Sequence, residues 1–419
     1  MPPLPSLWAS TAEPAPETPP LDGEHRADVA VIGAGFTGLA CALRLAEGGA
    51  GVIVVDAEAP GFGASGRNGG QVIPGLKLDP DALDRLYGEE TTDFVGKAAD
   101  TTFALIARLG IDCAARRDGW VQASVKRSHL ATLEARASAW ARRGAAVDLL
   151  DTAAMARATG AEGFAGGWID RRAGSLHPLN YARGLARAAQ AAGASIHGGS
   201  RVTRLRRDGK TWRAETARGS ILAEQVLLAT NGYTDALWPG LRATLIPANS
   251  FQIATAPLSP DERAAVLPGA AALSDTRRIG NYFRLSPDGR FMIGGRGSFA
   301  DPSGPAGFAR LEAAMHRFYP SLSATPIAYR WAGRVAMTPD HLPHLHRLAP
   351  GLIALLGYNG RGVALSTALG AAVGAHLIDS AAPLPFPFAS VAPMAAHRLH
   401  PVYASAAIWY YRLRDALET

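Results

Sequence analysis

Gly33, Gly35 and Gly38 stand in GxGxxG spacing within "ADVAVIGAGFTGLACALRLAEGGAGVIVVD" (27–56). At that spacing the first glycine makes a tight turn and the second lets a pyrophosphate approach the backbone. The third lets a helix pack closely on a strand. The helix that follows offers unpaired N–H groups and a partial positive charge to the phosphates. Asp56 closes the second apolar run, where an acid accepts hydrogen bonds from a ribose diol. Small residues at Ala42 and Gly49 extend the pattern. These residues read as a site for an adenine dinucleotide.

A second glycine-rich stretch, "GFGASGRNGGQ" (61–71), follows at once, with five glycines in eleven positions. Glycine that dense costs backbone entropy, so something must need a main chain stripped of side chains. A nicotinamide dehydrogenase would continue here into its next strand and helix. A second bare loop beside the pyrophosphate suits instead a large planar ring, with N–H groups laid along its edge and along the phosphates. Ser65 is suited to donate to a phosphate, and Arg67 to neutralise charge there.

The elements that position these residues read simply. "VAVI" and "GVIVV" are short buried strands, and Gly38 to Glu47 is the helix between them. Residues 76–160 have helical periodicity, interrupted by a strand near "DGWVQASV". The segment 172–235 returns to nucleotide-domain character, and 246–333 is β-rich. The expected class is α/β: a Rossmann-type dinucleotide domain of the glutathione-reductase-like kind with a discontinuous, β-rich α+β substrate domain. The expected division is a Pro-rich extended arm over 1–27, docked through Leu7 and Trp8. The nucleotide domain takes 28–75, 161–245 and 334–385, the substrate domain 76–160 and 246–333, and a helical extension 386–419.

Composition narrows the function. The 419 residues, 48% hydrophobic and 19% charged, suit a globular protein. The net charge of +6 comes almost wholly from dispersed arginine, since lysine occurs only at 77, 97, 126 and 210. The one tight basic run, Arg204, Arg206 and Arg207, reads as a solvated hairpin edge, so no nucleic-acid partner is expected. Cys41 and Cys113 lie far apart with no ligand spacing, which supports neither a disulfide framework nor a zinc site. In "HLPHLH", Pro343 breaks helical spacing for His341, His344 and His346, and no metal is expected. There is no secretory signal. The uncharged run 362–378 is too short and too small-residue-rich for a membrane span. A cytoplasmic protein is expected.

With the two glycine motifs in place, the chain resembles the FAD-dependent D-amino-acid-oxidase-like superfamily, which includes glycine, sarcosine and amine oxidases. The loop 61–71 looks most like the γ-glutamylputrescine oxidoreductase branch. "VLLATNGYT" (226–234), "GLIALLGYNGRGVALSTALG" (351–370) and "WYYRLRDAL" (409–417) are similar to family segments in the same order. The resemblance implies non-covalent FAD. Gly33, Gly35, Thr37, Gly38 and Asp56 would hold the ADP part, with Val202 touching the adenine through its backbone. Ala64, Ser65, Arg67, Asn68, Gly69, Gly70 and Gln71 would line the pyrophosphate and the flavin ring. Thr230, Asn231, Gly232, Asn359, Gly360, Arg361, Gly362 and Val363 would complete the site. The helix starting near Gly362 points its positive end at the loop before it, where it would stabilise negative charge on a reduced flavin.

The resemblance also implies the reaction: oxidation of a C–N bond, giving an imine that hydrolyses to aldehyde plus amine. The substrate would be a small amine, a polyamine or γ-glutamylputrescine-like compound, with oxygen or another electron acceptor as the second partner. Tyr282 stands where amino-acid-oxidising relatives put a substrate-contacting tyrosine, and Tyr282 and Gln71 are the catalytic candidates. Tyr282, Met292 and Arg334 are the substrate-pocket candidates. Two departures matter. Relatives that clamp an α-carboxylate place an arginine in the strand after "WAG", where this chain aligns Val335, one residue past Arg334. Val335 also excludes the cysteine to which some relatives attach FAD. Sarcosine-type oxidases carry a lysine in the strand after "PDGR", where this chain has Phe291 and Met292. An amino-acid dehydrogenase or oxidase, and a tRNA-modifying flavoprotein, remain alternative readings.

Overall fold

Val29 to Ile32 are buried without the alternation of a half-exposed strand, as a strand covered on both faces must be. The computed structural model describes residues 5–302 and 304–417. In it the strand Gly23–Ile32 lies at the centre of a nine-stranded sheet. Its parallel core runs Leu352–Leu356, Gly219–Leu228, Gly23–Ile32, Val52–Val55 and Ser195–His197. The antiparallel strand His344–Ala349 and the short strand Phe388–Ala389 extend one side. The hairpin Arg204–Asp208 and Thr211–Glu215 pairs with Gly219–Leu228.

The helix Gly362–Ile378 crosses the helix Phe36–Glu47 at backbone distance. A Cβ on Gly370 would stand 2.4 Å from the Thr37 carbonyl oxygen, and one on Gly374 would stand 2.9 Å from that of Cys41. This close approach explains the Gly- and Ala-rich, uncharged sequence of 362–378: the helix is buried nearly all round. Among the described residues no helix is long and apolar enough to cross a membrane.

A second, eight-stranded sheet runs in the order Ile327–Met337, Ile246–Pro257, Arg290–Arg296, Asn281–Leu285, Ala272–Asp275, Trp120–Ser124, Gly166–Asp170 and Val147–Leu150. Its pairings are antiparallel except between Ala272–Asp275 and Trp120–Ser124. The α/β class agrees with the sequence reading.

The expected boundaries move in detail. Gly166–Asp170 pairs with Trp120–Ser124 in the second sheet, so the chain re-enters the first sheet after 170 rather than at 161. Residues 334–337 complete the second-sheet strand Ile327–Met337. Residues 23–27 of the arm already belong to the central strand. The arm itself is not wholly extended. Ser6 accepts a hydrogen bond from the Ala9 N–H and caps one helical turn, Leu7–Thr11. Leu7 and Trp8 are completely buried. The proline-rich chain beyond then lies along the helix Pro178–Ala191, held by side chains of Asn180, Arg187 and Gln190.

Candidate FAD and substrate cavity

One cavity of about 900 Å³ gathers the glycine turn, the loop 61–71 and one face of the second sheet. At one end, the glycines of the turn have steric reasons to be glycine. A Cβ on Gly33 would stand 2.7 Å from the Ala229 carbonyl oxygen, and one on Gly38 1.9 Å from that of Gly33. Gly38 therefore serves helix-on-strand packing and does not line the cavity. Asp56 accepts from the Ala34 N–H at 2.6 Å and the Glu58 N–H at 2.9 Å. Burial pushes its carboxyl up from the usual range, and these N–H groups pull the other way. Ser65 Oγ accepts from the Phe36 N–H at 3.0 Å. Thr37, Ala64 and Val202 also face the cavity.

Two helix N-termini reach the cavity, and neither has a side-chain cap: Phe36–Glu47 through Gly35, and Gly362–Ile378 through Arg361. Ser65 takes the Phe36 N–H, and the remaining N–H groups of the two first turns make that part of the cavity electropositive.

The loop 61–71 is shaped by its own side chains and by the second sheet. Asn68 Oδ1 accepts from the Gly70 N–H at 2.7 Å, and its amide nitrogen donates to the Ala64 and Ser65 carbonyls. Trp331 Nε1 and Gln252 Nε2 both donate to the Arg67 carbonyl, and Trp8 Nε1 donates to that of Asn68. The Arg67 guanidinium bonds the Phe62 carbonyl. Gly70 has φ +68°, and a Cβ there would stand 2.2 Å from the Leu176 carbonyl oxygen and 2.3 Å from Arg284. Gly69 takes the Tyr282 ring against its face, where a Cβ would come within 2.8 Å.

Sequence reasoning missed Arg284. It is buried, donates to the carbonyls of Gly69, Gly70, Leu176 and Leu285, and has no carboxylate partner among the described residues. Burial, with Arg116 nearby, brings its pKa down to about 9. The Trp8 ring covers it at 5.5 Å.

Tyr282 stands on the cavity wall and hydrogen-bonds Ser250 Oγ through its hydroxyl at 2.8 Å, with burial pushing its phenol pKa up. The Gln71 amide is engaged in the wall: it donates to the Leu273 and Phe283 carbonyls and accepts from Ser274. Asn231, Gly360, Gly362 and Val363 line the cavity, with Thr230 beside Asn231. The Asn231 side chain accepts from the Gly357 N–H, and that of Asn359 is saturated by Thr338, Leu342 and Gly357, so both tie loops together. Gly70 and Gly232 lie behind the lining. Arg361 enters the cavity with its guanidinium over the Trp120 ring at 4.6 Å, rather than making a surface ion pair.

One substrate-pocket candidate, Met292, needs correction. Met292 is 2% exposed and packs with Leu7, Trp8, Leu179, Ala254 and Trp331, outside the cavity. The buried N-terminal turn covers this part of the strand, which could not be read from the strand alone. Arg334 does line the cavity, but its side chain is 46% exposed at the rim, with Asp301 3.9 Å away and Tyr233 beneath its guanidinium. Val335 also lines the cavity. Among the described residues no His/Cys/Asp/Glu cluster has metal-binding geometry.

The residues present fit an FAD. Two bare turns of backbone, an acid beside the first of them, two uncapped helix ends and an unpartnered buried acceptor, Gln252 Oε1, share one elongated cavity. Residues 28–375 match the family model described as DAO, FAD dependent oxidoreductase. The chain is 32% identical to the γ-glutamylputrescine oxidoreductase of Escherichia coli (strain K12), an alignment covering 98% of each. It is 33% identical to a probable oxidoreductase OrdL of Haemophilus influenzae, over 83% of this chain and 82% of that one. The crystal structure of glycine oxidase from Geobacillus kaustophilus superposes with a TM-score of 0.76 at 22% identity, over 88% of this chain and 99% of that one. The chain belongs to the DAO family of FAD-dependent oxidoreductases. Its cofactor is FAD, and it is an oxidase or dehydrogenase of amines or amino acids.

Proposed function

We propose that the protein oxidises the C–N bond of a small amine to an imine, which water then hydrolyses to an aldehyde and an amine. The observation that carries this reading is the absence of a free base beside Tyr282 among the described residues. Four acids line the cavity. Asp275 pairs with Arg277 and Asp235 with Arg201, while Asp56 and Glu58 stand at the glycine turn. His129, also on the wall, is bonded to Thr276. Loss of hydride from the carbon beside a neutral nitrogen needs no proton abstraction at carbon, so such a wall suffices.

FAD, when bound, supplies the two-electron acceptor for that hydride. Gly33, Gly35, Ser65 and the N-terminus at Phe36 are placed to hold its phosphates, and Asp56 its ribose. Gln252, Gly69 and the helix end at Gly362 would meet the ring. Tyr282, fixed by Ser250, orients the substrate, and Arg361 contributes positive potential. Val335 offers no nucleophile for covalent attachment, which supports a non-covalent cofactor. Anaerobic mixing of the yellow protein with polyamines, monoacylated diamines and amino acids tests the proposal. Amines should bleach the flavin fastest, and faster bleaching by D-amino acids than by any amine would overturn it.

A further inference from the structure

Among the described residues, two cations on the cavity wall have no side-chain partner of any kind. Among the described residues, the side chains of Lys77 and Arg296 make neither an ion pair nor a hydrogen bond, although both face the cavity. Of the other cations on the same wall, Arg136 pairs with Asp79 and Arg277 with Asp275, while Arg67 and Arg361 are held by the Phe62 and Pro74 carbonyls.

Geometry places the pair beside the amine-orienting residue. Arg296 ends the strand Arg290–Arg296 two residues beyond Gly294, so both leave the sheet on the same face. On that face Tyr282 covers Gly294. The backbone partner of Arg296 is Ser250, the residue that holds the Tyr282 hydroxyl. Lys77 follows the short strand Gln71–Val72 and lies three residues beyond Pro74, whose carbonyl accepts from Arg361. Burial, then Arg361, then Arg296 bring Lys77 down to about 8, so the three positive charges act on one region. Burial alone lowers Arg296. Desolvated cations held together without a counter-charge are costly in a fold and favourable only when an anion enters.

We infer that Lys77 and Arg296 form an anion subsite that receives a carboxylate at the end of the substrate remote from the oxidised amine. This rests on the amine-oxidising reading and sharpens it: the substrate is an amine whose far end is acylated and acidic, and a polyamine cationic at both ends is repelled. The site differs from an α-carboxylate clamp in the strand after "WAG", because it is built from the end of a neighbouring strand and from the segment after the flavin loop.

The test compares N-glutarylputrescine with N-pentanoylputrescine, equal in acyl length and differing in the terminal carboxylate, by anaerobic flavin bleaching of the holoenzyme. At low salt the glutaryl compound should have a kcat/KM about 10- to 100-fold higher, the worth of a charge-assisted pair, expressed mainly in KM. Arg296→Gln and Lys77→Gln should each shrink that ratio, Arg296→Lys should recover part of it, and salt should erode it in the wild type. A ratio near one in the wild type, or variants that weaken both substrates in parallel, would overturn the subsite. If neither compound bleaches the flavin, the amine reading fails and the subsite is judged by glutarate alone. Glutarate should then quench Trp120 fluorescence or shift the flavin spectrum with an affinity at least tenfold weaker in Arg296→Gln, and no saturable response overturns it.

Discussion

Asp56→Ala separates what this carboxylate does for the fold from what it does for the cofactor. Its oxygens accept from the Ala34 and Glu58 N–H groups before any ligand is present. Those bonds exist in both free and bound protein, so they cancel in the affinity and appear only in stability. Leaving the buried Ala34 N–H without an acceptor costs about 1–3 kcal/mol of apoprotein stability. Affinity is set by the ribose hydroxyls that donate to the carboxylate, at about 1.5–3 kcal/mol for each bond to a charged group. The desolvation cost on binding is reduced because the fold has already desolvated this group, as its raised pKa indicates. Loss of one such bond raises the FAD dissociation constant roughly 10- to 150-fold. The assay is titration of apoprotein with FAD, followed by quenching of flavin fluorescence, beside a urea unfolding curve of the same apoprotein. A variant that loses stability but binds FAD within threefold of wild type would refute the ribose role and leave Asp56 a purely structural acceptor.

Other outcomes follow from the same geometry. Acid precipitation should leave the FAD in the supernatant, because Val335 offers no nucleophile and Cys41 and Cys113 are both buried outside the cavity lining; flavin in the pellet would contradict this. Met292→Lys should not create an oxygen-reactive cation, since Met292 stands directly opposite Arg284 and among apolar neighbours. It should instead cost several kcal/mol by burying an unpaired charge, read as a lowered urea midpoint, with Met292→Leu near wild type. Lys77 has a folded pKa lowered from 10.5 to about 8. Its stability contribution is therefore full above the unfolded value and lost as pH falls through about 8. Its charge, however, is present only below about 8. Discrimination for N-glutarylputrescine should fall between pH 7 and 9 as Lys77 loses its proton, since Arg361, at about 10, titrates higher; His341, the other titrating group facing Lys77, has its pKa lowered by burial. A flat profile would remove Lys77 from the subsite.

The dinucleotide end was legible in the sequence because its chemistry is local. Gly33, Gly35 and Gly38 answer to contacts within one strand–turn–helix unit, and Asp56 reaches back to Ala34 across neighbouring strands. The glycines of 61–71 were legible as a need for bare backbone, but the reasons for them come from distant residues: Tyr282 against Gly69, and Arg284 and Leu176 against Gly70. Strand parity alone does not distinguish Met292 from Arg296. Both share a face, yet the N-terminal turn seals one end of it and the cavity opens at the other. Lys77 sits in a loop segment with no periodic pattern, and its significance depends on the missing counter-charge, a property of the folded ensemble of neighbours. Helix 362–378 illustrates the same limit, since its glycines follow from contact with a helix more than three hundred residues earlier.

The charge on the cavity also bears on the reaction itself. An alkylamine in water is almost entirely protonated at neutral pH, and a protonated nitrogen has no lone pair to support hydride loss from its neighbouring carbon. Arg361, Lys77, Arg296 and two uncapped helix ends give the cavity a positive potential that disfavours the ammonium form and lowers the pKa of an amine bound there. Such a site would favour binding of the neutral amine, its proton left with water outside the cavity, in keeping with the lack of a free base beside Tyr282. The same field penalises entry of a second ammonium, so a free diamine pays twice, whereas a molecule ending in a carboxylate recovers the cost at Lys77 and Arg296. On the proposed reading, selection for an acidic, acylated amine and activation of its nitrogen would be two consequences of one charge distribution. Neutralising Arg296 should therefore raise the apparent pH at which the amine becomes reactive as well as weaken its binding. A binding loss with an unchanged pH–rate profile would show that the two effects are separable.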